Sequence, residues 1–257
     1  MADPLDELNA RITELRVNLA FVALATRLRP RIGEAIQWEA TGEVLPLVRD
    51  FMNSKSVRVE GVYGSLLIAL MASFERYVRM LVIQIVEKQA AVAKTYDEVP
   101  LLLATKNLVL TGRVLANVEA PRDHITLNVE ALISDLASCK AGNPSFRLNA
   151  RAFSTTVTGV SPAVVEEALK AVGVTEWWDE VGGSKMLAEL LGTKKPRETG
   201  LRARERLKEL CRWRNQLAHG GDEEIALSET QLGEAVDFVV SFSDALNKTV
   251  HKHLQHR

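Results

Sequence analysis

Arg214 and His219 are the two side chains in this sequence whose types and spacing could do chemistry together. They stand in Leu207-Lys-Glu-Leu-Cys-Arg-Trp-Arg-Asn-Gln-Leu-Ala-His-Gly-Gly221, a charged amphipathic run that ends in two glycines. Arg214 is a permanent cation whose planar guanidinium can fork onto two phosphate oxygens. His219 titrates near neutral pH and can serve as a general acid or base. Asn215, directly after the arginine, could orient a phosphate or the imidazole. Five positions on a helix amount to a rise of ~7.5 Å and a rotation of ~140°, so the pair does not share a face. Convergence requires His219 to lie in a fraying last turn, with Gly220 or Gly221 as a left-handed cap. A plainer reading also stands: a histidine favoured by the dipole at a helix C-terminus, an ordinary glycine cap, and Arg212 and Arg214 paired with acids on the last helix, such as Asp237.

The elements that must position these residues read as helices throughout. The chain has 257 residues, 47% of them hydrophobic, enough for one large or two small domains with real cores. Residues 5–28 repeat apolar side chains at three- and four-residue spacing (Leu5, Leu8, Ile12, Leu15, Leu19, Val22), and Pro30 is expected to stop or restart that helix. A second helical stretch runs to about Met52, interrupted near Thr41-Gly42 and Pro46. Residues 57–94 form the strongest periodic segment, with Leu66, Leu67, Leu70, Phe74, Tyr77, Val78, Leu81, Val82 and Ile85 on one stripe and Glu75, Arg76, Arg79 and Lys88 opposite. That length suits the spine of a bundle. Tyr77 on this stripe reads as a core residue with a bonded hydroxyl.

Pro100 opens a helix to about Val118, and residues 127–140 form another. From 141 to 196 glycines and prolines punctuate short segments, an irregular inserted subregion in which Ser161-Pro162 is a good helix start. Trp177-Trp178 there could stack on bases, but reads better as an anchor pinning the insert to the bundle. Gly182-Gly-Ser-Lys185 lacks the spacing and the preceding strand of a phosphate loop. Pro196 to Ala218 is a basic helix, and Ser228-Glu-Thr-Gln231 is a capping box launching a last helix to about Leu254, with Leu232, Val236, Val239, Phe242 and Leu246 inward. The tail His251-Lys-His-Leu-Gln-His256 reads as a frayed terminus. There is no convincing strand; the chain is expected to be all-α.

The net charge of −1 argues against a polyanion binder by overall composition, yet the distribution is uneven. Residues 194–214 hold nine Lys or Arg against Glu198, Glu205 and Glu209, and residues 215–247 hold seven Asp or Glu and no Lys or Arg. The basic run leads into Arg214 and favours a local phosphate-attracting patch. Cys139 and Cys211 match no metal-ligand spacing and fit a reducing compartment. The acidic start lacks a secretion pattern, and the most apolar run is too short to cross a bilayer. A cytoplasmic protein with no membrane partner is expected.

Arg214-Asn-Gln-Leu-Ala-His219-Gly220 resembles the Arg-x4-6-His signature of the HEPN superfamily, and Leu66-Leu-Ile-Ala-Leu-Met-Ala-Ser-Phe-Glu-Arg-Tyr-Val-Arg79 is similar to the first core helix of those domains. The irregular middle resembles the RiboL-PSP branch. The resemblance implies a HEPN-like bundle over residues 57–257 with an insert at about 120–196; residues 1–56 lie outside it and are expected to be extra N-terminal helices packed on the bundle. It also implies an endoribonuclease that needs no metal or other cofactor, in which Arg214, His219 and Asn215 act across a homodimer. RNA is the implied substrate and a toxin or phage-defence role the implied context, with an antitoxin or regulatory protein as a further partner. A non-catalytic nucleotide- or RNA-binding module, or a dimerisation module, is the alternative. Gly221 stands where related toxins carry a tyrosine, so regulation through that tyrosine is not implied.

Overall fold

The computed structural model describes residues 3–39, 59–117, 128–219 and 226–255, and among them every regular element is a helix. In chain order these are α1 (Pro4–Glu39), α2 (Val59–Val92), a 3-10 turn (Tyr96–Glu98), α3 (Leu101–Ala116), α4 (Val129–Ser138), α5 (Ala150–Ser154), α6 (Pro162–Ala171), α7 (Trp178–Val181), α8 (Lys185–Leu191), α9 (Pro196–His219) and α10 (Glu229–Gln255). The expected all-α class is what the chain adopts. α2 is the hub: α1, α5, α6, α9 and α10 all pack on it. Its stripe residues Leu67, Leu70, Phe74, Val78, Leu81, Val82 and Ile85 are each fully buried.

Two start signals hold in both their halves. Ser228 Oγ accepts from the Gln231 backbone N–H at 3.2 Å, while Gln231 Oε1 accepts from the Ser228 N–H at 2.9 Å. Ser161 caps α6 through the Val164 N–H, with Pro162 behind it. Tyr77 is buried and donates its hydroxyl to the Ser243 carbonyl of α10 at 3.0 Å. Burial pushes its pKa far up, so it stays a neutral donor.

Other expectations give way. The helix at the N-terminus does not break at Pro30 but runs on to Glu39. A proline's φ is near the helical value, and its missing donor and the crowding of its ring on the preceding turn can kink a helix without ending it. The continuation to Met52 lies outside the described residues. The charged side of α2 meets other elements only in part, since the Arg76 side chain is 56% exposed. Arg79 donates to the Val157 carbonyl at 3.0 and 3.1 Å and pairs with Glu75, and Arg76 pairs with Glu7 of α1 at 2.7 Å. The C-terminal tail is not frayed up to Gln255. His253 Nε2 lies 2.9 Å from Glu180 Oε1, and His251 Nδ1 lies 3.3 Å from Lys88 Nζ.

The middle of the chain builds short helices, as its glycine and proline punctuation implies, and their apolar side chains join the same core. Trp177 is 2% exposed, stacks on Trp178 at 4.1 Å between ring centres, and meets Phe242 of α10. This is the anchoring role, not a base platform. A polar knot holds α3, α4 and α5 together: Asn149 donates its amide to Thr111 and to the Leu132 carbonyl, and its backbone N–H to Asn107. Each group is buried, so the bonds offset desolvation that would otherwise cost about 1–3 kcal/mol apiece.

α7 and the start of α9 meet backbone to backbone. A Cβ on Gly182 would stand 1.9 Å from the Pro196 carbonyl oxygen, and one on Gly200 would stand 2.5 Å from the Trp178 carbonyl oxygen. Neither carbonyl can swing aside as a side-chain end could. Gly200→Ala is therefore expected to destabilise by at least the ~1–3 kcal/mol typical of overpacking. Gly112→Ala, in open space on α3, should be neutral or stabilising by up to ~1 kcal/mol. Urea denaturation of both variants checks this pair.

Burial first, and then the Lys88 cation, hold the His251 pKa below its usual 6.5. The folded state thus favours the neutral ring. The contribution is full above pH ~6.5 and is lost as pH falls through the lower folded value. His251→Gln should flatten that acid-side loss in melting curves between pH 7 and 5.

Candidate functional site

α9 carries the candidate residues, and its inward face fixes where they stand. Ala203, Leu207 and Leu210 are fully buried, and Cys211, Trp213 and Leu217 pack against the core from its edge. Near the C-terminal end, Leu217 lies against Gly64 of α2, whose missing Cβ would sit 3.0 Å from the leucine's Cδ2. The helix is thereby held close to the hub two residues before His219. Trp213 is covered by the Arg206 guanidinium, 5.1 Å from the ring centre, and Arg206 is itself tied to Glu209 at 2.6 Å and Glu234 at 3.7 Å.

Arg214 is half-buried, while Asn215 and His219 are exposed. His219 is the last described residue of α9, at the helix end where the sequence placed it. Gly220 and Gly221, the expected cap, lie outside the described residues. What the structure shows instead is a bond from Arg214 Nη1 to Asn215 Oδ1 at 3.0 Å. Asn215 precedes His219 by four positions, so these two are face-mates, ~6 Å apart along the axis. The asparagine therefore draws the guanidinium round the helix towards the imidazole's face.

Arg214 forms no ion pair among the described residues. The plain reading placed Arg212 and Arg214 on acids of the last helix, with Asp237 the example. Asp237 is instead bound by Arg16 of α1 at 2.7 Å. Among the described residues the Arg214 side-chain hydrogen bond goes to a neutral amide, which leaves the charge available to a ligand.

Cys211 lies within electrostatic reach of both Arg214 and Glu75, a placement that no residue spacing announces. Burial pushes the Cys211 thiol up to about 11, against a lowering influence of the Arg214 cation and with a smaller raising influence from Glu75. Such a thiol is inert at neutral pH and is a packing group. The described residues contain no group of three or more histidine, cysteine or acidic side chains arranged to hold a metal ion. None of their helices is long and apolar enough to cross a membrane.

The thiol reports on the arrangement. Its thiolate fraction at pH 8 should fall on the order of a hundredfold below that of an unfolded cysteine. Alkylation of Cys211 by iodoacetamide, followed by mass spectrometry, should slow accordingly in the native protein. Arg214→Gln should slow it further, since the cation favours the thiolate. A faster reaction in that variant would place Arg214 elsewhere.

Compared with known proteins, the chain matches the family model RiboL-PSP-HEPN over residues 49–252. No curated protein matches it. No solved structure matches it either.

Proposed function

Since this chain belongs to the RiboL-PSP-HEPN family, we propose that it is an endoribonuclease acting as a homodimer, with Arg214, Asn215 and His219 of each copy forming a shared site. The observation that carries this reading is the Arg214–Asn215 bond, which turns a guanidinium that has no ion pair among the described residues towards the face of an exposed imidazole. RNA supplies its own nucleophile, the 2′-hydroxyl, which accounts for a site built without a nucleophilic side chain of its own.

The reaction needs three services. A base removes the 2′-hydroxyl proton as that oxygen attacks phosphorus. An acid protonates the 5′-oxygen as the P–O5′ bond breaks, leaving a 2′,3′-cyclic phosphate and a free 5′-hydroxyl. A cation holds the charge that gathers on the non-bridging oxygens. One imidazole cannot be base and acid in the same step. Two copies of His219, one neutral and one protonated, can divide the work across a two-fold axis. Arg214 supplies the cation, and Asn215 fixes where the guanidinium points. Imidazoles and guanidinia suffice for these roles, so the activity is expected to persist in EDTA.

A toxin or defence effector kept in check by a partner protein fits such an activity, because unguided RNA cleavage harms its host. The competing reading, a module that grips RNA without cutting, draws on the same free cation. The two part on one substitution. Wild-type protein incubated with RNA in EDTA should yield 2′,3′-cyclic phosphate ends. His219→Ala should reduce the rate by ~10²–10⁴-fold, the range of a lost acid–base group, with RNA binding largely retained. Product ends of any other kind, or full activity in His219→Ala, would overturn the nuclease reading.

A further inference from the structure

The exposed side of α9 carries more than the motif. Arg197, Leu201, Arg204, Lys208, Arg212, Asn215 and His219 succeed one another at spacings of four and three residues, and all seven are exposed. That spacing puts them in one line along the helix, within ~80° of arc and over ~33 Å of length. The helix's three acids, Glu198, Glu205 and Glu209, follow a different line at spacings of seven and four. None lies on the first. The cations Arg197, Lys208 and Arg212 make no ion pair among the described residues. Arg204 is tied at 2.9 Å to Glu166, which also accepts from the Trp178 indole at 2.8 Å.

Resting on the nuclease reading above, we propose that this line is the approach track for a single-stranded segment of the RNA substrate. The phosphate backbone lies along α9 from Arg197 towards His219. Arg204, Lys208 and Arg212 follow one another at four-residue steps, so cations meet the chain at intervals of ~6 Å, and the neutral Asn215 carries the line on to the imidazole. A positively charged strip that follows a backbone suits a nucleic acid strand. The strand is single because in-line attack by a 2′-hydroxyl needs a backbone freed from A-form geometry. A duplex would be gripped across two grooves rather than along one helix face. Free cations also act through counterion release, so the track should show itself in salt dependence.

The test uses the full-length chain carrying His219→Ala, which binds without cutting, and a fluorescein-labelled twelve-residue oligouridylate read by anisotropy. Adding Lys208→Gln and Arg212→Gln should raise Kd about five- to thirty-fold at low salt. The slope of log K against log salt should fall by about 1.4, at ~0.7 per cation for single strands. Lys185→Gln with Lys248→Gln, on α8 and α10, should change Kd less than twofold. In the otherwise wild-type protein, the Lys208/Arg212 pair should raise KM for cleavage and leave the rate at saturating RNA unchanged. The proposal is overturned if the Lys185/Lys248 pair weakens binding equally, if the salt slope does not move, or if a duplex of the same length or a polyglutamate of equal charge competes as well as the single strand. The two readings fail separately. An unchanged Kd beside intact cleavage removes the track alone, whereas RNA bound along the line but never cut removes the nuclease.

Discussion

The placement of the candidate site depends on how α9 is pinned to the helix at the centre of the bundle. At its start the backbone of α9 touches that of α7, with Gly182 and Gly200 permitting contacts that any Cβ would block. At its end Leu217 settles on Gly64 of α2. Between them Ala203, Leu207 and Leu210 are buried without remainder, and each buried leucine contributes roughly 1.5–3 kcal/mol. A helix fixed at both ends and along one face cannot roll. Its outward face is then decided as firmly as its inward one, and the line from Arg197 to His219 follows from where Leu207 and Leu210 must go.

Much of this was legible from residue types. Repeating apolar positions located α2 and α10, and Ser228 and Gln231 announced the start of α10 by a pairing that both partners honour. These signals are local: a cap or a stripe is complete within one or two turns. The misreadings share the opposite character. Nothing near Arg79 hints that the Val157 carbonyl, distant in sequence, will accept its hydrogen bonds. The knot of Asn107, Thr111 and Asn149 joins three helices through residues that singly read as ordinary polar positions. Pro30 misled for a related reason, since a rule about isolated helix interiors was applied to a long helix.

The candidate site was half legible. Spacing alone showed that Arg214 and His219 could not share a helix face, and that geometry stands. Asn215 was singled out as a possible orienting group, but its bond to the adjacent guanidinium is a matter of rotamer, which no spacing rule reaches. The choice between a free cation and a structural ion pair was open in the sequence because acids abound in the last helix. The structure shows where two of them go: Arg16 takes Asp237, and Glu234 lies by Arg206. Among the described residues, those two acids are engaged without Arg214.

A net charge of −1 and a cationic line on one helix are compatible because charge acts locally. At physiological ionic strength the screening length is about 8 Å, some five residues of helix rise. A phosphate beside Lys208 therefore responds to Arg204, Lys208 and Arg212, and to Glu205 and Glu209 beside them, far more than to acids on another side of the bundle. Arg206 shows the alternative fate of a basic residue on the same helix, turned onto Trp213 and held by Glu209 and Glu234. Its charge is spent on packing. The sorting of basic residues into those paired inward and those left in line outward separates a cationic surface from a merely charged helix, and it is a property of the face each residue occupies rather than of how many there are.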